Sequence, residues 1–430
     1  MSLLLPIEAP KHWQRRRIQA VFHMYGGGTP AKENLKFWGG EIPWVSPKDM
    51  KTSFVSSTED TITEQAVASS ATRIVPAGCL LIVVRSGILK HSIPTAIASK
   101  AVSLNQDIKA LVPIEPVDTR YVRYMLTGHE KLLLTVWRSL GATVESLDSE
   151  RIKQSTIPLP SLSTQKAIAD YLDDKTAAID ALIEKKRKLL DLLAEERTAL
   201  INQAVTKGLD PTVPMKDSGI PWMGEIPAHW EVVQLKRKWS IIDCKHRTPE
   251  YLSEGFKVVS TTEVKPGRID LSLVSRLIGK DDFNDMTEGS RKPQFGDIVY
   301  SRNASLGAAA YIDTEEPFAM GQDVVLITSK RQNQLYLSQL LNSPICTTQV
   351  NLACVGATFK RINVGQIRKT NVCLPPREEQ DSIANYIDNI DFRFTSMREI
   401  LERQIGRLQE YRQALITAAV TGQLDIEAAA

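Results

Sequence analysis

Apolar residues recur along two long stretches in steps of four and three. In the second stretch, 377–420, they fall at Ile383, Ile387, Ile390, Phe394, Met397, Leu401, Leu408, Tyr411 and Leu415, with one step skipped at Gln404. In the first, from 165 to about 205, Ile168, Leu172, Ile179, Leu182, Leu189, Leu193 and Leu200 follow the same register. This alternation predicts a coiled-coil seam. The first stretch contains neither Pro nor Gly. The second contains only Gly406, a flaw of about 1 kcal/mol relative to Ala. Both are rich in Ala, Leu, Glu, Lys and Arg, which favour helix. Ser163 or Thr164 can cap the first helix, and Lys207-Gly208 can stop it. Roughly 40 residues at 1.5 Å each give helices of about 60 Å. A stripe of that length needs a partner, and each helix can supply one for the other. Core helices of one large all-α domain are the alternative. Helices this long without internal caps fit that reading less well.

Ahead of each helix the period shortens. Apolar runs at 79–84 and 297–300 follow Gly78 and Gly296 and read as buried strands. Residues 108–112 and 324–327 read as strands after Gln106-Asp107 and Gln322-Asp323, and 119–126 and 335–341 as short helices. Turn signals are dense, as in Gly26-Gly27-Gly28-Thr29-Pro30 and Pro266-Gly267. The fold class expected for each front segment is mixed α/β with many loops.

The chain also repeats itself at a spacing of half its length. Gly141-Ala142-Thr143 recurs as Gly356-Ala357-Thr358, and Leu159-Pro160 as Leu374-Pro375. Gln165, Tyr171 and Asp173 recur as Gln380, Tyr386 and Asp388. Residues 141–210 and 356–425 share 23 identities in 70 positions without a gap. The fronts match more loosely, with an offset that drifts from block to block. Pro10-Lys11-His12-Trp13 parallels Pro227-Ala228-His229-Trp230, Thr29-Pro30 parallels Thr248-Pro249, and Gln106-Asp107 parallels Gln322-Asp323. The period is far too long for a solenoid, so a whole domain has been duplicated. Four segments follow: front domain 1–160, helix 161–210, front domain 211–375 and helix 376–425. The helical backs do one job twice, whereas the fronts have diverged into two variants of a job.

Charge sharpens this division. Residues 1–160 hold 19 Lys+Arg against 14 Asp+Glu, and 215–375 hold 20 against 17. Residues 161–214 hold 8 against 9, and 376–430 hold 6 against 10. Positive charge therefore sits in the front domains, where a polyanion would be drawn. Five cysteines lie far apart with no metal-ligand spacing, so neither a metal site nor a disulfide framework is expected. No apolar run is long enough to span a bilayer, and no secretory signal is expected from the first residues. A reduced, cytoplasmic protein is the simplest expectation.

The chemistry of an enzyme is not visible. The sequence has no GxxxxGK phosphate loop, no GxGxxG after a strand, and no Ser or Cys partnered with His12 or His229. The front loops instead carry groups suited to base edges and phosphates. The candidates for DNA contact are Ser46, Lys48, Arg85, Lys90 and Thr143 in the first domain. In the second they are Lys245, Arg247, Thr262, Arg302, Thr358 and Lys360. Singly, a polar loop residue is by default solvated surface; the group gains weight from its placement after equivalent strands. For the helical seam the candidates are Leu182, Leu189, Leu193 and Leu200, with Met397, Leu401, Leu408 and Leu415.

Residues 216–230, KDSGIPWMGEIPAHW, resemble the lead-in to a target recognition domain in the specificity (S) subunit of type I restriction–modification enzymes. The stretches IPLP…Q…IADYLD at 157–173 and CLPP…EQ…IANYID at 373–388 are similar to that family's helical regions. The first copy departs from the pattern, its lead-in being reduced to residues 5–13. The resemblance implies two target recognition domains of mixed α/β structure, each reading one half of a bipartite site in double-stranded DNA. It implies two long antiparallel coiled-coil helices that set the gap, with internal pseudo-two-fold symmetry. It further implies docking of two methyltransferase subunits, and of restriction subunits through the complex. S-adenosylmethionine, ATP and Mg are then expected on those partners and no cofactor in this chain. Divergent fronts predict an asymmetric site. Two other readings stay open: a protein-binding scaffold, and the detached recognition half of a combined nuclease–methyltransferase.

Overall fold

The apolar run after Gly78 becomes Leu80–Val83, buried along its whole length at the centre of a five-stranded sheet. Its antiparallel neighbours are Ile108–Pro113 and Thr95–Ala98. Phe22–Gly26 pairs beyond Ile108–Pro113, and Phe54–Val55 runs parallel to Thr95–Ala98 at the far edge. The second copy repeats the arrangement, in the order Ser240–Asp243, Val324–Thr328, Ile298–Ser301, Ala309–Tyr311, Gly267–Arg268. A four-stranded sheet accompanies each: Asp60–Ile62, Trp38–Val45, Val102–Leu104, Ile74–Val75 in the first copy, and Tyr251–Leu252, Leu277–Ile278, Phe256–Val259, Phe318–Met320 in the second. The short helices expected after these strands are Thr119–Gly128 and Gln334–Asn342.

The computed structural model describes residues 3–139, 144–354 and 360–426. They form two compact units, Met1–Arg187 with Glu402–Ala430 (unit 1) and Lys188–Leu401 (unit 2). The division falls inside both long helices, Leu162–Lys207 and Arg377–Val420, rather than at the four segment boundaries read from sequence. Each front domain thus shares its core with parts of both helices. In unit 1, Ile168, Leu172, Ile179 and Ile183 of the first helix join Leu415, Ile416 and Ala419 of the second. In unit 2, Ile201, Ala204 and Val205 join Ile383, Ile387 and Ile390. No described helix is long and apolar enough to cross a membrane.

In unit 1 the two helical segments are antiparallel, and the cross-links show it. In unit 1, Arg412 donates to both oxygens of Asp180 at 2.9 and 3.1 Å, while Lys186 donates to Gln404 at 2.7 Å. In unit 2, Arg197 donates to Asp391 at 2.8 Å. Arg197 and Arg412 are equivalent positions of the repeat, and each bonds an aspartate of the opposite helix.

The seam departs from the sequence reading in the middle of each helix. Leu182, Leu189 and Met397 are 42%, 45% and 42% exposed, so they face outward. Ile183 is buried instead, followed inward by Lys186, Leu190, Leu193, Arg197 and Leu200 in steps of three and four. Lys186 and Arg197 occupy inward positions, which a pattern of apolar residues alone does not mark. Long side chains of this kind bury an aliphatic stem while their charge finds a partner across the seam. Leu193, Leu401 and Leu415 are buried, and Leu200 and Leu408 partly so, at the positions expected.

The strongest repeats in sequence turn out to be junction chemistry. Gln165, buried, accepts from the backbone N–H of Asp118 at 3.0 Å and donates to the Pro160 carbonyl at 2.9 Å. Gln380 does the same with Asn333 at 2.9 Å and Pro375 at 2.9 Å. Tyr121 and Tyr336 donate to the carbonyls of Pro158 (3.1 Å) and Cys373 (3.0 Å). Every one of these pairs is related by the same half-chain spacing. Each ties a short front-domain helix to the segment that starts a long helix, and satisfies a backbone group that would otherwise be left unpaired. In unit 2, His229 and Trp230 both bond the Glu379 carboxylate, at 2.8 and 3.0 Å. Its counterpart in unit 1 is Thr164, so His12 has no such carboxylate in the matching position.

Candidate nucleic-acid interface

The two five-stranded sheets finish alike. In unit 1, Gly26 lies opposite Lys109, and Val83 opposite Ile108, so three strand ends meet. The glycine run leaves the sheet at this point. A Cβ on Gly27 would stand 2.2 Å from the carbonyl oxygens of Leu104 and Asn105, a distance no side chain tolerates. The close approach lets Gly28 N–H donate to Leu104 at 2.9 Å, while Trp44 Nε1–H donates to Gly28 at 3.0 Å. The next residue, Thr29, is thereby fixed beside exposed Gln106, to whose Oε1 its hydroxyl donates. Asp107 turns the other way and accepts from Arg85 Nε at 2.6 Å.

Unit 2 builds the same turn from different neighbours. Exposed Gln322 donates through Nε2 to the Thr248 hydroxyl at 2.9 Å. Asp323 adopts a left-handed backbone, φ 62°, which aspartate accepts more readily than most residues. It accepts from Asn303 Nδ2 at 3.3 Å and forms an ion pair with Arg361. Leu147 donates to the carbonyl of Val84 at 2.8 Å, and its equivalent Ile362 to that of Arg302 at 3.0 Å. The structure therefore brings together what the sequence scattered: the Thr-Pro pair, the Gln-Asp pair, and the segments that close the front domains.

The candidate contacts divide when placed on this frame. Thr143 and Thr358 lie outside the described residues. Ser46 is buried and takes part in a capping box, its hydroxyl 2.9 Å from Asp49, so its polarity is used internally. Arg302 is 6% exposed and donates to Asp243 (2.9 Å) and to the Ile362 carbonyl (3.2 Å). It holds the sheet end rather than facing solvent. Lys48 is exposed with Glu59 3.6 Å away, and Thr262 donates to Glu263 at 2.7 Å. Lys90 and Lys360 are exposed. Arg85 is exposed and pairs with Asp107, the residue that follows Gln106.

Lys245 and Arg247, next to Thr248, converge on one acidic turn. Lys245 bonds Asp285 and, at 3.1 Å, Glu288. Arg247 bonds Asp285 at 2.8 Å and also Asp282. Hydrogen bonds from Lys245 and Arg247 hold the Asp285 carboxyl below the usual carboxylate range, and the bond to Asp285 raises Lys245 in turn. Apart from Glu288 these side chains are only partly exposed, and their pairs tie the segment ahead of Thr248 to Lys280–Met286. The one cluster with metal-ligand side chains among the described residues is Asp243, Cys244 and His246. Asp243 already serves both Arg302 and His246 (3.1 Å), and burial pushes the Cys244 thiol up, away from the thiolate a metal needs.

In sequence Thr29, Thr248, Gln106 and Gln322 stand out as landmarks of the repeat and not as candidate contacts. Their survival in the divergent fronts was the available signal.

A duplicated mixed α/β domain, packed on segments of two long helices and bearing the same polar sheet end in each copy, defines a protein with two recognition domains. The family model for the type I restriction modification DNA specificity domain matches twice, at residues 10–191 and 229–403, and the chain belongs to that family. It is accordingly a DNA-binding recognition component of a restriction system and not itself an enzyme. The EcoR124I/EcoR124II specificity subunit of Escherichia coli is 38% identical over 169 residues, 39% of this chain and 42% of that one. The match thus spans less than half of that relative's length. The MjaIX specificity subunit of Methanocaldococcus jannaschii is 24% identical across 97% of this chain and 95% of its own. Two solved structures share the fold. One is a chain from work on complex assembly and conformational transition of the type I R-M system (TM-score 0.69, 15% identity, 97% and 100% covered). The other is the HsdS subunit from Thermoanaerobacter tengcongensis (TM-score 0.52, 16% identity, 97% and 99% covered).

Proposed function

We propose that this chain gives a type I restriction–modification complex its bipartite DNA target. Each front domain reads one half of an asymmetric site, and the paired helices set the gap between the halves. The observation that carries the reading is the recurrence of one polar sheet end, Thr29–Gln106 and Thr248–Gln322, in two domains that otherwise diverge. Cations stand beside each: Arg85 in one unit, and Lys245, Arg247 and Arg361 in the other. Shared architecture with unlike surroundings suits two readers of two sequences.

The helices also dock two methyltransferase subunits. Leu192, Phe392 and Ile400 are exposed on the helical segments of unit 2. Phe392 borders a groove of about 860 Å³ that Leu190, Arg197, Arg268 and Arg398 also line. An apolar surface with a charged rim of this kind fits a protein partner. S-adenosylmethionine, ATP and Mg act on the methyltransferase and restriction subunits. The test is to co-express the chain with its methyltransferase and map methylated adenines across the genome. A motif of two unlike halves with a fixed gap is expected. A continuous motif, or no methylation that depends on this chain, would overturn the reading.

A further inference from the structure

We infer that Gln106 and Gln322 are paired base readers, presenting the same amide to the same base, adenine, at equivalent places in the two half-sites. The inference rests on the DNA-reading function proposed above and deepens it. Where two recognition domains read different bases, their readers must differ. A reader kept in both then faces a base common to both halves.

Two kinds of glutamine have survived the duplication. Gln165 and Gln380 are buried, and their backbone bonds account for their retention. Gln106 and Gln322 are exposed, and among the described residues their amides bond a neighbouring hydroxyl rather than the buried backbone. What that hydroxyl does is hold a long side chain still. A side chain fixed before binding loses less freedom on binding. The bond also leaves the amide free to act. In unit 1 the Thr29 hydroxyl takes one lone pair of Oε1, and in unit 2 the Thr248 hydroxyl takes one hydrogen of Nε2. Each amide keeps a free acceptor and a free donor. Adenine presents a matching donor and acceptor, N6–H and N7, in the major groove, and glutamine is suited to bind both at once.

The residues around each glutamine fix its direction. Asp107 and Asp323 follow immediately and are bonded by their own neighbours, Arg85 and Asn303. Arg85 in unit 1 and Arg361 in unit 2 are each joined to the turn through that aspartate. A cation beside a base reader can take the adjacent phosphate and set the register.

The experiment uses the full chain assembled with its methyltransferase subunits, selecting bound duplexes from a randomised pool. The wild-type complex should select a motif with adenine at matching places in both halves. Gln322→Ala should lose preference at that one base pair of the second half, by about 5- to 150-fold as expected for a bidentate contact, and leave the first half intact. Gln106→Ala should do the reverse, and Thr29→Val or Thr248→Val should relax the same positions partially. The inference is overturned if the glutamine variants select the wild-type motif with undiminished stringency, or bind all sequences equally less well. A wild-type complex that selects no motif would instead overturn the DNA-reading function itself.

Discussion

Replacing Gln380 with methionine keeps the shape of the side chain and removes its amide. The Pro375 carbonyl is buried and loses a donor at 2.9 Å; the Asn333 N–H is half-buried and loses an acceptor at 2.9 Å. A buried group left unpaired costs about 1–3 kcal/mol, whereas a group that water can reach loses only the net bond, about 0.5–1.5 kcal/mol. Together these give about 2–4 kcal/mol. For a cooperative unit of 150–250 residues each kcal/mol shifts the midpoint by about 2–4 °C, so the melting transition of unit 2 should fall by about 5–15 °C. Gln380→Met also removes a donor to the Gln332 side chain at 2.8 Å, whereas Gln165→Met removes only the two backbone bonds of unit 1, so its cost there should be similar or somewhat smaller. The two sites share no partner, so the double variant should show the sum of both losses. Calorimetry of the full chain reads all three. A loss in either single variant smaller than one net hydrogen bond, under about 0.5 kcal/mol, would refute the argument that these glutamines were kept for their backbone bonds.

Other perturbations separate structure from recognition. Arg302→Ala should destabilise unit 2 by about 2–3 kcal/mol, because it strips a buried cation from Asp243, itself partly exposed; a variant of native stability with altered DNA specificity would make Arg302 a reader. Ile183→Gln should cost about 2–4 kcal/mol in urea unfolding, whereas Leu182→Gln, facing solvent, should stay within about 0.5 kcal/mol; equal costs would restore the seam read from sequence. His129 is pushed below its ordinary value by burial, so the folded state binds its proton less readily than the unfolded one. Stability of unit 1 should therefore be full above the unfolded imidazole value of about 6.5 and decline as pH falls below it, and His129→Asn should flatten that decline in thermal melts across pH 5–8.

Much of this was legible from residues alone, for reasons that can be named. Leu80–Val83 and Val324–Thr328 are uninterrupted apolar runs behind turn residues, and such runs have few places to go except a buried strand. The long helices declared themselves by the absence of Pro, by a single Gly between them, Gly406, and by Gly208, whose φ of 78° ends the first. The middle of the seam was hidden because apolar counting cannot see Lys186 and Arg197 as inward residues. The sheet end was hidden differently. Thr29 and Gln106 are far apart in sequence, and only the antiparallel pairing of Phe22–Gly26 with Ile108–Pro113 makes them neighbours. Arg302 resembles any exposed loop arginine until the Asp243 carboxylate appears opposite it. The short strands Leu3–Leu4 and Gln14–Arg17, which flank Ser155–Leu159, had no periodic signal to give them away.

The division of the chain into units also has a temporal side. Unit 2 is a single unbroken stretch, Lys188–Leu401, whereas unit 1 is made of two pieces, the second beginning at Glu402. On a ribosome the first recognition domain is made early, yet Leu415, Ile416 and Ala419 of its core arrive only after all of unit 2. The usual order of domain maturation, first made and first folded, is reversed. A nascent chain carries an incomplete first domain, with the apolar face of Ile179 and Ile183 uncovered, until its final helix emerges. A premature stop near residue 400 would therefore spare the domain made last and ruin the one made first.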